Sequence, residues 1–389
     1  MPTTPMKNLL YRAALPVLSP STHKRYRHAC DGQPLHHPAY YEHLLTHHHV
    51  AGASLLLRDG DREARVYSSC LRPAHTARPE TLYRVASITK TATALVTLTL
   101  CDEGLFSLDD PLAPLLPDGE RAGKGALNGV TVRHLLCHTS GLQDIPAVDA
   151  ALRSGGTFHD VLATDGIRAG APGQAMVYCN FGFGLLGCVL EHVTGQSIEA
   201  LFQAKLFQPL GMRATLDGST LDEGGVMPIS RMLPYREGQD VTIPPLGRKP
   251  LTAPDPLRRF GHTAGAMYTD APSLSRMLTL IADGGTVDGK RLVSQAMIRE
   301  MTARQASTPT RTYGLGLVLM TRPELSEHRL LGHQGFAYGC VDGAFFEEGT
   351  GRQLIFLNGG ASEARTGRLG LVNRDILQWA LRREMPSWT

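Results

Sequence analysis

Two strand pairs, one near each end of the chain, constrain the fold most. "VAGASLLLRDG" (50–60) and "REARVYSSC" (62–70) alternate around Asp59-Gly60-Asp61, a hairpin signal. "GCVDGAFFEE" (339–348) and "RQLIFLNGG" (352–360) repeat it through Gly349-Thr350-Gly351, after a further strand signal in "YGLGLVLMT" (313–321). A lone hairpin buries little, so the economical solution is one antiparallel sheet assembled from both termini and covered by helices. Residues 38–49 and "LVNRDILQWALRRE" (371–384) read as helices. Between 105 and 255 short helical pieces alternate with glycine- and proline-rich connections, and 221–259 reads as a long surface excursion. The expected fold is α+β, a three-layer α/β/α arrangement around a central antiparallel sheet. Residues 1–104 and 256–389 would form the sheet domain, and 105–255 a mainly helical, loop-rich insertion.

The 389 residues carry 39 basic and 36 acidic groups, a formal charge of +3. That balance argues against nucleic-acid binding, which needs a concentrated basic face. No apolar run reaches the roughly 20 residues of a membrane span. Seven cysteines are scattered and never spaced C-x-x-C, the usage of a reducing compartment. Residues 1–30 carry five Lys or Arg and no acid, as transit peptides do, but no apolar export segment. We read them as a packed arm of a cytoplasmic protein. The histidines at 36, 37, 43 and 47–49 read as a solvated helix end, since no carboxylate or cysteine completes a ligand set. The expectation is therefore no metal, no cofactor and a small-molecule partner, with oligomeric state open.

The chain has no serine flanked by glycine at both −2 and +2, and no H-E-x-x-H. The nucleophile elbow and the zincin motif are thereby excluded. Ser-x-x-Lys remains, in two copies. Ser21–Lys24 lies in the polar "SPSTHKRYRH" and reads as noise. Ser87–Lys90 opens "VASITKTATALVTLTL", which holds one charge in sixteen residues and is expected to be a buried helix ending near Gly104. At that N-terminal turn the helix supplies free N–H groups and partial positive charge. Lys90 returns to the same face three residues on. Burial drives its ammonium toward a neutral amine able to take the serine proton. The inert alternative is Ser87 as a plain cap with Lys90 reaching solvent.

Two more stretches extend the pattern: "MVYCNFGFGLLG", with Tyr178-Cys179-Asn180, and "LLGHQGFAYG", with His333-Gln334-Gly335. Ser-x-x-Lys, Tyr-x-Asn and His-x-Gly in this order resemble the penicillin-recognising serine hydrolases, specifically the class C β-lactamase-like branch with its family VIII esterases and D-aminopeptidases. "VRHLLCHTSGL" and "TAGAMYTDAPSLSRML" read the same way. The resemblance implies Ser87 as the acylated nucleophile and Lys90 as its partner. Tyr178 would exchange a proton with Lys90, its phenolate favoured by the ammonium. Asn180 would hold the lysine and a substrate amide or carbonyl. His333 and Gly335 would line the site on an inner strand, with glycine sparing room for the acyl group. The backbone N–H groups of Ser87 and Phe336 would form the oxyanion hole.

Two positions depart from the family pattern. His333 stands where lysine is usual, and a neutral imidazole is a poorer partner for a substrate carboxylate. Cys179 replaces a usual serine and reads as a small buried residue. His138 reads as a helix-end scaffold residue, Asp109-Asp110 as turn and cap chemistry, and His262 as peripheral. The leading expectation is a carboxylesterase acting on small acyl esters. Alternatives are a β-lactamase or D-amino-acid peptidase or amidase, an acyltransferase to another acceptor, and a catalytically silent binding protein on the same fold.

Overall fold

The computed structural model describes residues 13, 14, 16, 17, 25–70, 76–230, 240–337 and 339–388. Most of the N-terminal arm and the Ser21–Lys24 copy lie outside the described residues. The main sheet has nine strands: β1 (Arg27–Gly32), β2 (Gly52–Asp59), β3 (Arg62–Ser69), β4 (Ala306–Thr308), β5 (Arg311–Tyr313), β6 (Val318–Met320), β7 (Leu330–Ala337), β8 (Cys340–Glu347) and β9 (Gln353–Asn358). Their order is β1-β3-β2-β9-β8-β7-β6-β5-β4, all neighbours antiparallel. The two hairpins expected from sequence meet at the centre, where β9 pairs with β2 from Gln353↔Arg58 to Asn358↔Ala53. Both strands are buried over almost their whole length, as central strands covered on two faces must be.

Among the helices, α1 (Pro38–His47) packs on α5 (Leu371–Trp379), α2 (Thr89–Asp102) packs on α3 (Asn180–Thr194), and α4 (Ala271–Ala282) and α5 lie against the sheet. Gly343 and Gln353 establish that α4 and α5 cover opposite faces. A Cβ on Gly343 would run into Asn373 of α5, while Gln353 Oε1 accepts from Ser275 Oγ of α4 at 2.6 Å. Gly343 pairs with Phe356, three residues from Gln353, so the two side chains point to opposite sides. These are the three layers read from sequence. His333 and Gly335, paired with Ala344 and Asp342, share the α4 face.

Helix α2 is buried from Thr89 to Cys101, although four of its residues after the first turn are threonine or cysteine. Three of its hydroxyls bond within the helix, Thr93 to Thr89 O (3.1 Å), Thr97 to Thr93 O (2.8 Å) and Thr99 to Leu95 O (3.0 Å), and Thr91 donates to Gly316 O (3.0 Å). Threonine therefore enters the core without orphaned polar groups. The helix stops at Asp102, with Gly104 at positive φ just beyond.

The structure departs from expectation in two places. "YGLGLVLMT" is two strands rather than one: β5 ends at Tyr313 and β6 starts at Val318. The bend is set by Gly316, at φ +65°, where a Cβ would lie 2.6 Å from Ala94 Cβ and 2.8 Å from Lys90 O of α2. An apolar run by itself cannot reveal that contact. Segment 221–259 also lies deeper than a surface excursion. Val226, Met227, Ile229, Ile243 and Leu251 are buried, and Val226 and Ile243 cluster on Tyr268. Among the described residues no helix is long and apolar enough to cross a membrane.

Candidate active site

Ser87 sits in a 3-10 turn, Ala86–Ile88, that runs directly into α2. Thr89 locks this turn by donating from Oγ1 to Ala86 O (2.6 Å) while accepting from Met267 N (3.1 Å). Val85 N donates to Met267 O (3.0 Å). Ala86 is held at φ +46°, a left-handed conformation that a non-glycine residue adopts only when its surroundings enforce it. Strand β7 enforces it from the other side. A Cβ on Gly335 would lie 2.4 Å from Val85 O and 3.2 Å from Ala86 Cβ. The glycine thus makes room for the serine turn itself. Gly335→Ala is expected to cost about 1–3 kcal/mol of stability and to displace Ser87. Chemical denaturation alongside the labelling rate of Ser87 by a fluorophosphonate would read both effects, and wild-type values for both would contradict this packing.

Lys90 is fully buried. Its Nζ lies 3.1 Å from Ser87 Oγ, 2.8 Å from Asn180 Oδ1 and 2.6 Å from Ala264 O. The last two are carbonyl oxygens and only accept, so a neutral amine spends both N–H groups on them. Its lone pair is then left for the Ser87 proton. Burial pushes the lysine down to about 7, against the opposing pull of Asp144. Tyr178 OH donates to Ser87 Oγ at 2.8 Å, so the serine oxygen lies between phenol and amine. Burial pushes the phenol up to about 12. This corrects the expectation of a favoured phenolate: Tyr178 rests as a proton donor.

The remaining expected residues fall around this trio. Asn180 opens α3 and presents Oδ1 to Lys90 while its Nδ2 donates to Asp144 Oδ2 (2.8 Å). The amide is thus engaged at both ends by protein groups. Cys179 is buried as expected and caps α3, its Sγ accepting from Gly182 N (3.2 Å). His333 lies on β7 with Nδ1 2.7 Å from Gln334 O, which fixes the proton on Nδ1. Its Nε2 is buried with no partner among the described residues. Burial, then the nearby Lys90 charge, pushes the ring down to about 3. It is neutral at working pH. Phe336 follows on β7, and β6 pairs only with Leu330, Leu331 and Gly332. Residues 333–337 therefore have no β6 partner along that edge, where main-chain groups can meet a substrate.

Two side chains near the trio, Asp144 and Arg311, escaped the sequence reading. Asp144 accepts from Asn180 N (3.0 Å), Asn180 Nδ2 and Phe181 N (2.9 Å). Arg311 of β5 holds its guanidinium 5.1 Å from the centre of the Tyr178 ring and donates to Tyr313 OH at 3.1 Å. His138 brackets Tyr178: its backbone O accepts from Val177 N (2.9 Å) and its Nδ1 from Cys179 N (3.2 Å), with the ring 4.3 Å from the tyrosine ring. It is a scaffold residue at the end of the helix Val132–Leu136, and what it supports is Tyr178. "VRHLLCHTSGLQD" carries both His138 and Asp144, and that stretch was the available signal. Asp109 and Asp110 do turn and pairing work, on Arg133 (2.7 Å) and Ser107 N (2.8 Å). His262 is buried, among charges from Arg259, Asp217 and Arg84 rather than from Lys90. Among the described residues no cluster of His, Cys, Asp and Glu could hold a metal ion.

A family profile described as Beta-lactamase matches residues 38–347, most of the chain. The chain belongs to the beta-lactamase family. Esterase EstB of Burkholderia gladioli is 29% identical over 333 residues, 77% of this chain and 83% of that protein. Penicillin-binding protein 4 of Amycolatopsis lactamdurans is 30% identical over 66% of each chain. D-alanyl-D-alanine-carboxypeptidase/endopeptidase AmpH of Escherichia coli is 31% identical over 45% of this chain. The match spans under two thirds of the penicillin-binding protein and 48% of AmpH. Among solved structures, a D-stereospecific amidohydrolase from Streptomyces sp. superposes with a TM-score of 0.62 at 27% identity, covering 81% of this chain and 91% of that one. The D-amino acid amidase of Ochrobactrum anthropi SV3 shares the fold at TM-score 0.65 and 24% identity, covering 86% and 95%. The names of these beta-lactamase-family relatives and structural neighbours divide between an esterase and amide-cleaving enzymes.

Proposed function

We propose that Ser87 forms a covalent acyl-enzyme and that the enzyme is a carboxylesterase acting on small acyl esters. The observation that carries this reading is the Ser87 oxygen held between a buried amine near neutrality and a phenol donor. Neutral Lys90 takes the Ser87 proton as Oγ bonds to the acyl carbon. The backbone N–H groups of Ser87 and Phe336 receive the oxyanion. As the tetrahedral adduct collapses, Tyr178 protonates the leaving alcohol and the Lys90 ammonium restores the tyrosine. Water then enters, gives its proton back through the same pair, and releases the acid.

Esters are favoured over carboxylate-bearing lactams and peptides because His333 is neutral where those substrates need a cation. The likeness to esterase EstB over most of both chains supports the same choice. The exposed Cys30 and the scattered cysteine pattern fit a cytoplasmic setting. The test compares kcat/KM for p-nitrophenyl acetate, a chromogenic cephalosporin and a D-amino acid p-nitroanilide. The acetate is expected to lead, with His333→Lys narrowing its margin over the cephalosporin about tenfold, the effect of ~1.4 kcal/mol of added ion pairing. A cephalosporin or anilide that outruns the acetate in the wild type would replace the ester reading with an amide one.

A further inference from the structure

We propose that Asp144 is the positioning residue of this site: its carboxylate orients the Asn180 amide toward Lys90 and serves as the lysine's counter-charge. The inference rests on the reading of Lys90 as the base.

A carboxylate only accepts hydrogen bonds, so the Asn180 atom facing Asp144 Oδ2 at 2.8 Å must be the NH2 group. The opposite end, Oδ1, is thereby turned to Lys90 Nζ. A flipped amide would set NH2 against the amine and remove one of its two carbonyl acceptors. Asp144 also takes Asn180 N and Phe181 N, so it caps the first turn of α3 while it fixes the side chain. Its own position is set by the loop after the short helix Val132–Leu136: Leu142 bridges to Arg168 and Gln143 N donates to Ile167 O at 3.0 Å.

The electrostatic half follows from what surrounds Lys90. Cys179 and Tyr178 approach from the start of α3, Arg311 from β5, His333 from β7, and His138 from the loop that also bears Asp144. Both histidines are held neutral and the two thiol and phenol groups are protonated. Arg311 disfavours the lysine's charge, which leaves Asp144 as the anion that favours it. Without Asp144, burial and Arg311 act unopposed and the ammonium loses its proton at lower pH. A purely structural role predicts the opposite sign. Loosening the α3 cap would admit water to Lys90, relieve its desolvation and raise its titration midpoint.

The chain has only seven lysines, so the side-chain methylene next to Nζ can be followed by carbon-13 NMR in the full-length protein. Asp144→Asn, which retains capping ability, is expected to move the Lys90 midpoint down by about half to one pH unit; partial exposure of the carboxylate discounts the larger effect of a buried pair. Asp144→Glu should restore it. The fluorophosphonate labelling rate of Ser87 should shift its acid limb in the same direction. An unchanged or raised midpoint in Asp144→Asn overturns the inference. A wild-type Ser87 that resists labelling at every pH sinks the base reading instead, and the NMR titration still decides the role of Asp144.

Discussion

Ser87→Ala is expected to lower kcat/KM for a short acyl ester by about 10⁵-fold or more, to the background set by binding alone. The alanine fits the 3-10 turn that Ala86 and Thr89 already impose, so folding should be unaffected. What disappears is the oxygen on which Lys90 and Tyr178 converge. Among the described residues no second hydroxyl is placed between them, so the proposed covalent step should be lost. Residual turnover within tenfold of wild type would place the nucleophile elsewhere.

Lys90→Ala should cost about 10³–10⁴-fold, the upper range for loss of a positioned general base. The companion expectation concerns pH. In the proposed mechanism Lys90 works as the free amine, so activity should rise as pH increases through about 7 and then hold level, since the Tyr178 phenol keeps its proton up to about 12. The sign is specific: a base with its midpoint near 7 gives an acid limb there, whereas a lysine at its ordinary value would still be gaining activity above pH 10. Lys90→Arg should be as inactive as Lys90→Ala, because a guanidinium keeps its proton throughout. Near-wild-type turnover in either variant, measured as a kcat/KM profile from pH 5 to 10, would remove Lys90 from the mechanism.

The sequence made the scaffold and the proposed reacting trio legible for different reasons. The hairpins at 52–69 and 340–358 are local, two-residue periodicities closed by turn residues, and a sheet joining them was the economical way to bury both. Ser87 and Lys90 are linked by helical spacing alone. Tyr178, Asn180 and His333 needed the resemblance, since nothing in their local pattern brings them to Ser87. The missed groups are those whose role exists only in three dimensions. Ala264 contributes a backbone oxygen, which no side-chain pattern records. Asp144 acts 36 residues away, across a loop contact to the start of α3. Arg311 meets Tyr178 from β5, a strand far along the chain from it. The phenol state of Tyr178 was misjudged for a related reason, because burial outweighs the neighbouring cation and burial is a property of the packed site.

The central claim is a covalent acyl group on Ser87, and mass measurement of the intact protein after brief mixing with p-nitrophenyl acetate tests it most directly. The account predicts a transient gain of one acetyl mass, mapped by peptide analysis to the segment holding Ser87. The adduct should persist longer in Tyr178→Phe and be absent in Ser87→Ala. Ester turnover in which the acetyl group maps to another residue, or in which Ser87→Ala still accumulates the adduct, would contradict it.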